Sequence, residues 1–411
     1  MTGRQGDRET GRGGEEVRGE RRFTIDEILM YINVNMGDVT VKQVITKKDK
    51  RTFIYLPSKI HKNNPNWLPP IYSDEWLLFD EKNNKSYRYA DTVLCLAWKN
   101  NKPVGRIMGI INRRYNEIHN ERHGRFCFME SYEDQDVVHA LIRSIEEWAV
   151  KRGMVKLVGP LGFSDKDPQG FQIEGFEYPK FIVCPTNDSY LPVMIEKEGY
   201  IKEEDLVNYL ARVPEELPEV YQKILTRVTQ SNGYRLVEFS SKREFNKYII
   251  PVLELMNQTF SEIYGFVPLE DSEKREMASR YMMILNPRFV KIVEAPDGVV
   301  GFAIGIPDIS DAIRKSGGKL FPLGILRILI ALKKSRKLLM LLGGVRKDYR
   351  NKGLDVLMAV KMLQACMEYK MELIDLHLIL EKNTRMRAEC ERIGGQVIKR
   401  FRIFQKTLAG Q

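Results

Sequence analysis

The sequence predicts an α/β protein built as two copies of one fold, each a mixed, mostly antiparallel sheet flanked by helices. Three observations carry that reading. The segments KPVGRIMGI (102–110) and GVVGFAIGI (298–306) share the pattern V-G-x-x-x-G-I. Each follows a β-rich run, TVLCLAWKNN or RFVKIVEAPD, across a polar turn, so both read as hairpins. Downstream of each, residues 136–152 and 354–370 carry apolar side chains at three- and four-residue spacing, the period of a helix, and then comes a β-rich run, VKLVGP or LIDLHLIL. Last, EKEGY (196–200) and ERIGG (391–395) each precede a closing strand, LVNYLARV or RFRIFQKTL. The same order occurs twice, which places an N-terminal domain at 39–213, a helical connector at 214–232 and a C-terminal domain at 233–408.

Composition agrees with that division. A chain of 411 residues exceeds one ordinary core, and 43% hydrophobic with 10% aromatic content is enough to pack two. The first 22 residues hold six glycines, six basic and five acidic residues with almost nothing to bury, so 1–38 reads as a disordered tail. The cysteines Cys95, Cys127, Cys184, Cys366 and Cys390 are scattered and form no CxxC, which argues against a disulfide framework and a zinc site and fits a reducing cytoplasm. His119 and His123 have helical spacing but lack the glutamate placement of a zinc hydrolase, so no metal is expected. There is no leader pattern and no apolar run of about 18 residues, so the expectation is a cytoplasmic protein, soluble or bound at the inner membrane surface.

Charge is unevenly placed. Residues 312–347 contain ten Lys or Arg and no Asp or Glu, equal to the whole net charge of +10. No helix-turn-helix, zinc-finger or RNA-recognition signature accompanies them, which argues against nucleic acid. Within LLGGVRKDYRNKGLDVLM (341–358), RKDYRNKG reads as a turn between a buried strand and a helix. Free backbone N–H groups and the positive end of the helix dipole point out of such a turn and make an anion cradle. Gly353 permits positive φ, and Arg350 and Lys352 add full charges, so a diphosphate suits the turn. The matching turn of the first copy, FMESYEDQDVVHAL (128–141), would oppose a phosphate with Glu130, Glu133, Asp134 and Asp136.

On these residues the chain resembles the GNAT superfamily, the acyl-CoA-dependent N-acyltransferases, whose members carry R/Q-x-x-G-x-G/A at this turn. Arg350, Gly353 and Asp355 fall on the motif positions, and Asn383 and Gly394 fall on the asparagine and glycine of the family's next motif. The resemblance covers the second domain and extends in the first to the strand order. It implies two GNAT-like domains, the first a degenerate copy, with acetyl-CoA or a longer acyl-CoA as donor and an amine as acceptor. It further implies coenzyme A contacts from strand residues Gly343, Gly344 and Val345, from turn residues Arg350, Asn351, Lys352 and Gly353, and from Leu354, Asp355 and Asn383. Tandem bacterial proteins with this look include lipid N-acyltransferases of the ceramide-synthase kind, which implies a long-chain or lipid amine.

Acyl transfer to an amine needs a base for the ammonium proton, a donor at the carbonyl oxygen and an acid for the departing thiolate. A splayed strand at 343–345 is expected to supply the donor. Asp308, in GIPD just beyond the hairpin strand, is the expected base, with a cap for the ISDAIRK helix as the alternative. Cys390 falls where the family often places a tyrosine acid; a structural core cysteine is the alternative. His377, alone in an apolar run, reads as core. Asp355 brings negative charge to the helix end, where the family often has a small residue. These departures keep a second class open, a catalytically silent acyl-CoA- or lipid-binding protein. The segment GGKLFPLGILRILIALKKSRKLLML, apolar almost all round a helix, reads either as a core helix or, over 321–337, as an interfacial segment resting on anionic lipid.

Overall fold

The computed structural model describes residues 32–408 apart from 218, 220, 223–224, 227–232 and 283. The expected tail up to residue 31 and much of the expected connector therefore lie outside the described residues. Inside the expected tail, β1 (Asn33–Met36) turns at Gly37 and pairs antiparallel with β2 (Val39–Gln43). This hairpin edges a sheet of 14 strands that runs through both halves of the molecule.

Each repeat element takes the expected form. In the first half, β3 (Ala90–Lys99) and β4 (Lys102–Asn112) form an antiparallel hairpin. It closes at Asn100 and Asn101, both at positive φ, as the mirror-image turn of a tight hairpin requires. Strand β5 (His123–Ser131) pairs antiparallel with β4, and helix α1 (Gln135–Val150) carries the chain to β6 (Lys156–Gly159), parallel to β5. The helix buries Val137, Val138, Leu141, Ile142 and Ile145 on the sheet. A short β7 (Phe171–Glu174) and the long β8 (Ile201–Arg212) follow.

The second half repeats this path. After β9 (Arg235–Val237) and helix α2 (Ile249–Thr259) come the antiparallel hairpin of β10 (Val290–Ala295) and β11 (Gly298–Pro307), then helices α3 (Ser310–Ser316) and α4 (Gly324–Lys334). Strand β12 (Lys337–Val345) pairs antiparallel with β11, helix α5 (Leu354–Glu368) crosses over, and β13 (Leu373–Leu380) returns parallel to β12. Helix α6 (Thr384–Arg392) leads to β14 (Gln396–Thr407). One sheet face packs on α5, through Leu357, Met358 and Leu363 against Val293, Leu338 and Leu376. The other packs on α2, through Val252 and Met256 against Ile292, Phe302 and Leu339.

The closing strands are exchanged. β8, from the first half, pairs with β13, and β14, from the end of the chain, pairs with β6; β8 and β14 pair with each other in the middle. Side-chain burial follows the pairing. Val207, Tyr209 and Ala211 of β8 sit in the core around α5, while Phe404 of β14 and Leu408 just beyond it sit in the core around α1.

Helix α4 is not a core helix. Only Gly324 of its residues is buried, and Phe321, Leu326 and Leu329 are 76%, 55% and 52% exposed. Its apolar residues do lie on more than one side, but a single stripe, Ile328, Ala331 and Leu332, packs on Leu68, Ile309 and Ile313.

Candidate active site

The site is made by a strand pair that parts. β12 and β13 pair in parallel from Lys337 with Leu373 as far as Met340 with Leu376, and no pairing continues beyond. β12 keeps its other neighbour to the end, Val345 facing Gly301 of β11, with a shift that leaves Leu341 as an extra residue where the parting starts. Across the gap, β13 carries its own irregularity between Leu376 and Ile379, with Leu378 at φ 51°. A bulky side chain at positive φ is strained, and bulges of this sort turn neighbouring side chains out of the regular pleat. One edge of residues 341–345 thus faces an opening. A Cβ on Gly343 would find its nearest neighbour at 3.7 Å, so this part of the gap is roomy. A Cβ on Gly344 would come within 2.8 Å of Thr259 Oγ1 and 3.1 Å of the Phe302 ring, so the α2 side of the gap is tight.

The gap runs into the turn before α5. Gly353 caps that helix at φ 80° with no side chain on the helix amides. Among the described residues the amides of Asn351, Lys352, Gly353, Leu354 and Asp355 have no hydrogen-bond acceptor, whereas Val356 N–H donates to Asp355 Oδ1 at 3.1 Å. The four cations differ. Arg346 is held by Asp297 at 2.5 Å and Asp348 at 2.8 Å, and Lys347 has Glu262 at 3.6 Å. Arg350 donates to Val345 O at 3.3 Å and Lys352 lies over the Tyr349 ring at 4.3 Å; neither has a carboxylate partner among the described residues. Asp355 Oδ2 accepts from Arg385 Nη2 at 2.7 Å, which offsets its charge, while its Oδ1 keeps the Val356 amide. Asn383 caps α6, accepting from Met386 N–H at 3.1 Å.

The equivalent places in the first half are filled. Pairing of β5 with β6 ends at Arg125 with Val158, but the chain then closes the parting: Leu161 N–H donates to Phe126 O at 2.9 Å. A Cβ on Gly159 would lie 2.3 Å from that same oxygen. The N-terminus of α1 is capped by Asp134, which accepts from Asp136 and Val137 amides and pairs with Lys99 at 2.8 Å.

The expected base lies apart from the gap, and the expected acid is buried in the core. Asp308 accepts from Ser310 N–H at 2.9 Å and from its hydroxyl at 2.5 Å, while its own N–H donates to Lys337 O. It therefore sits at the start of β12, about 13 Å of strand from where the gap begins, at about 3.3 Å per residue. Cys390 is buried with Tyr209 and Ile379, and burial pushes its thiol up to about 12. Sequence reasoning missed a pair on the strand that borders the gap. His377 stands one residue past the last β12–β13 pair and, two residues on from Asp375, shares its face. His377 Nδ1 lies 3.1 Å from Asp375 Oδ1. Asp375 is wholly buried, and its Oδ2 accepts from Asn208 Nδ2 at 3.0 Å. The spacing Asp-x-His in a strand was the available signal.

Comparison with known proteins bears on the fold. No family profile matches the chain. It is 27% identical over 381 residues to the bacterial ceramide synthase of Caulobacter vibrioides (strain NA1000 / CB15N), which covers 90% of this chain and 98% of that protein. It is 27% identical over 379 residues to Protein YghO of Escherichia coli (strain K12), with 90% and 95% covered. Among solved structures, a tandem GNAT protein from the clavulanic acid biosynthesis pathway matches with a TM-score of 0.52 at 12% identity, covering 91% of this chain and 99% of that one, which shows the fold. The fold is thus that of tandem GNAT proteins. In sequence the chain is similar to a protein of the ceramide-synthase type.

Proposed function

We propose that the chain transfers an acyl group from acyl-CoA to the amine of a long-chain or lipid acceptor, with the acyl-CoA held by the second half alone. The observation that carries this is the open parting of β12 and β13, which leads straight into a helix start with free amides beside Arg350 and Lys352. The pantetheine arm would complete the unpaired edge of 341–345 as a short pseudo-strand, and an amide there would donate to the acyl oxygen. The diphosphate would rest on residues 350–355, with Asn383 at the far wall. The filled first-half parting and the Asp134 cap support a single donor site. The ceramide synthase relative motivates a sphingoid-type amine as acceptor.

The acceptor, and a long acyl donor with it, would arrive from the cytoplasmic side of a membrane. The exposed apolar side of the 321–337 segment supports this. Phe321, Leu323, Leu326 and Leu329 stand in solvent, and Lys319, Lys333 and Lys334 have no carboxylate partner among the described residues. Such a surface rests at the headgroup level of anionic lipid. No helix among the described residues is long and apolar enough to cross a membrane. The test is thiol release from acyl-CoAs of graded length in the presence of sphingoid and simple amines. Release that depends on a long-chain amine is expected; acyl-CoA binding without release for any amine would refute the catalytic reading in favour of a binding protein.

A further inference from the structure

We propose that His377 and Asp375 form the catalytic dyad of this acyl transfer, with the imidazole Nε2 as the base that takes the proton of the incoming ammonium. The inference rests on the functional reading above and assigns to His377 the role that the sequence suggested for Asp308.

Position comes first. Met340 with Leu376 is the last pair before β12 and β13 part, so His377 stands at the apex of the gap, opposite the extra residue Leu341. An acyl thioester drawn along the unpaired edge of 341–345 ends at that apex. The two sides of the sheet are divided in function. Ile374, Leu376 and Ile379 of β13 face the core around α5, the helix whose start forms the anion cradle. Asp375 faces the other way, and its cross-strand neighbours Leu339 and Leu210 both pack on the α2 side. His377 shares the Asp375 face, so it meets the thioester from the side opposite the nucleotide, the side left for an acceptor.

Orientation comes second. A carboxylate can only accept from a neutral imidazole, so whenever the His377 ring is neutral its contact with Asp375 puts the proton on Nδ1 and makes Nε2 the acceptor. Asp375 is fixed in turn by Asn208 of β8, and Asn208 Oδ1 accepts from Cys184 Sγ at 3.4 Å. Lys399 of β14, cross-strand neighbour of Asn208, feels the charge of Asp375. The strain at Leu378 lies immediately beside His377, where a bulge re-aims a side chain.

The step balances as follows. Nε2 takes one proton from the ammonium, and the freed lone pair forms the C–N bond. Collapse of the tetrahedral centre breaks the C–S bond, the nitrogen's second proton goes to the departing thiolate, and the imidazolium returns its proton to water. Asp375 takes no proton in the step and acts as a positioning residue.

The test uses the full chain, an acyl-CoA and the amine that gives the fastest thiol release. His377→Gln can keep a hydrogen bond to Asp375 but takes no proton, and His377→Ala leaves room for added imidazole. The expected result is a kcat at least about a hundredfold lower in both, with acyl-CoA affinity and Tm near wild type and partial rescue of His377→Ala by imidazole. Asp375→Asn is expected to lower kcat about tenfold with KM unchanged. A folded His377→Gln that keeps more than about a fifth of the wild-type kcat overturns the proposal. Loss of turnover in Asp308→Asn with turnover kept in His377→Gln also overturns it and moves the role to Asp308. Wild-type chain that binds acyl-CoA and releases no thiol overturns the functional reading itself, and the dyad with it.

Discussion

Arg350, Lys352 and Arg346 lie within one turn, yet the structure separates their expected contributions to coenzyme A binding. Arg350 is half-buried and free of carboxylates, so its guanidinium can give a charge-assisted bond to a phosphate, worth about 2 kcal/mol. At about 1.4 kcal/mol per tenfold, Arg350→Ala should raise the Kd for coenzyme A about thirtyfold. Lys352 is exposed, and water screens it; about 1 kcal/mol, or fivefold, is the corresponding figure for Lys352→Ala. The double variant should lose about a hundredfold, since neighbouring sites do not add perfectly. Arg346 already spends its charge on Asp297 and Asp348, so Arg346→Ala should cost less than about threefold. Titration calorimetry at low and high salt measures all four, with the wild-type loss on raising salt shrinking in the double variant. Equal losses for Arg346→Ala and Arg350→Ala, or an unchanged Kd in the double variant, would refute the placement of the diphosphate on residues 350–355.

Three other outcomes follow from features away from the cradle. Leu326→Glu with Leu329→Glu should abolish flotation with anionic vesicles and leave Tm unchanged, because both side chains stand in solvent; flotation that persists removes the membrane reading. Gly344→Ala should cost about 2 kcal/mol by forcing a Cβ against Thr259 and Phe302, and so lower Tm, whereas Gly343→Ala should leave Tm in place. His61 is buried, which lowers its affinity for a proton, but Glu130 and Asp188 outweigh that and raise it from 6.5 to about 9. Its contribution is therefore fully present below pH 6.5 and lost as pH rises through about 9, so Tm should fall across that window and His61→Gln should flatten the slope. An unchanged slope in His61→Gln would place the effect elsewhere.

What was legible was local. Two asparagines at the β3–β4 turn, the V-G-x-x-x-G-I hairpins and the crossovers all follow from spacing and turn chemistry within a few residues. The charged turn before α5 is of the same kind, since strand, glycine and helix lie in one stretch of 341–358. What escaped depends on partners far along the chain. Asp355 could be judged only with Arg385 in view, thirty residues on. His377 looked like core because Leu376 and Leu378 flank it, and only a strand period of two brings Asp375 beside it. For α4, apolar residues on two sides do not say which side is covered; the choice was made by Ile309 and Ile313 of the preceding turn and helix. The strand exchange had no local signal either. β8 and β14 both carry apolar side chains on both faces, Leu206 with Val207 and Ile403 with Phe404, and either could close either half.

That exchange also bears on how the protein is made. Synthesis is vectorial, and the ordinary order is for an N-terminal domain to fold before its successor has emerged. Here the strand beside β6 is β14, which leaves the ribosome only after the other strands of the second half, so Phe404 and Leu408 are missing from the core around α1 until then. Meanwhile β8 emerges early and has to wait for β13. The first half is thus a nascent sheet with an unpaired inner edge for most of translation, the situation in which strands find wrong partners. Glu204 and Asp205 of β8 meet Lys382 and Arg402 only once those residues have emerged. Emergence of β14 is therefore the event that joins the two halves into one sheet.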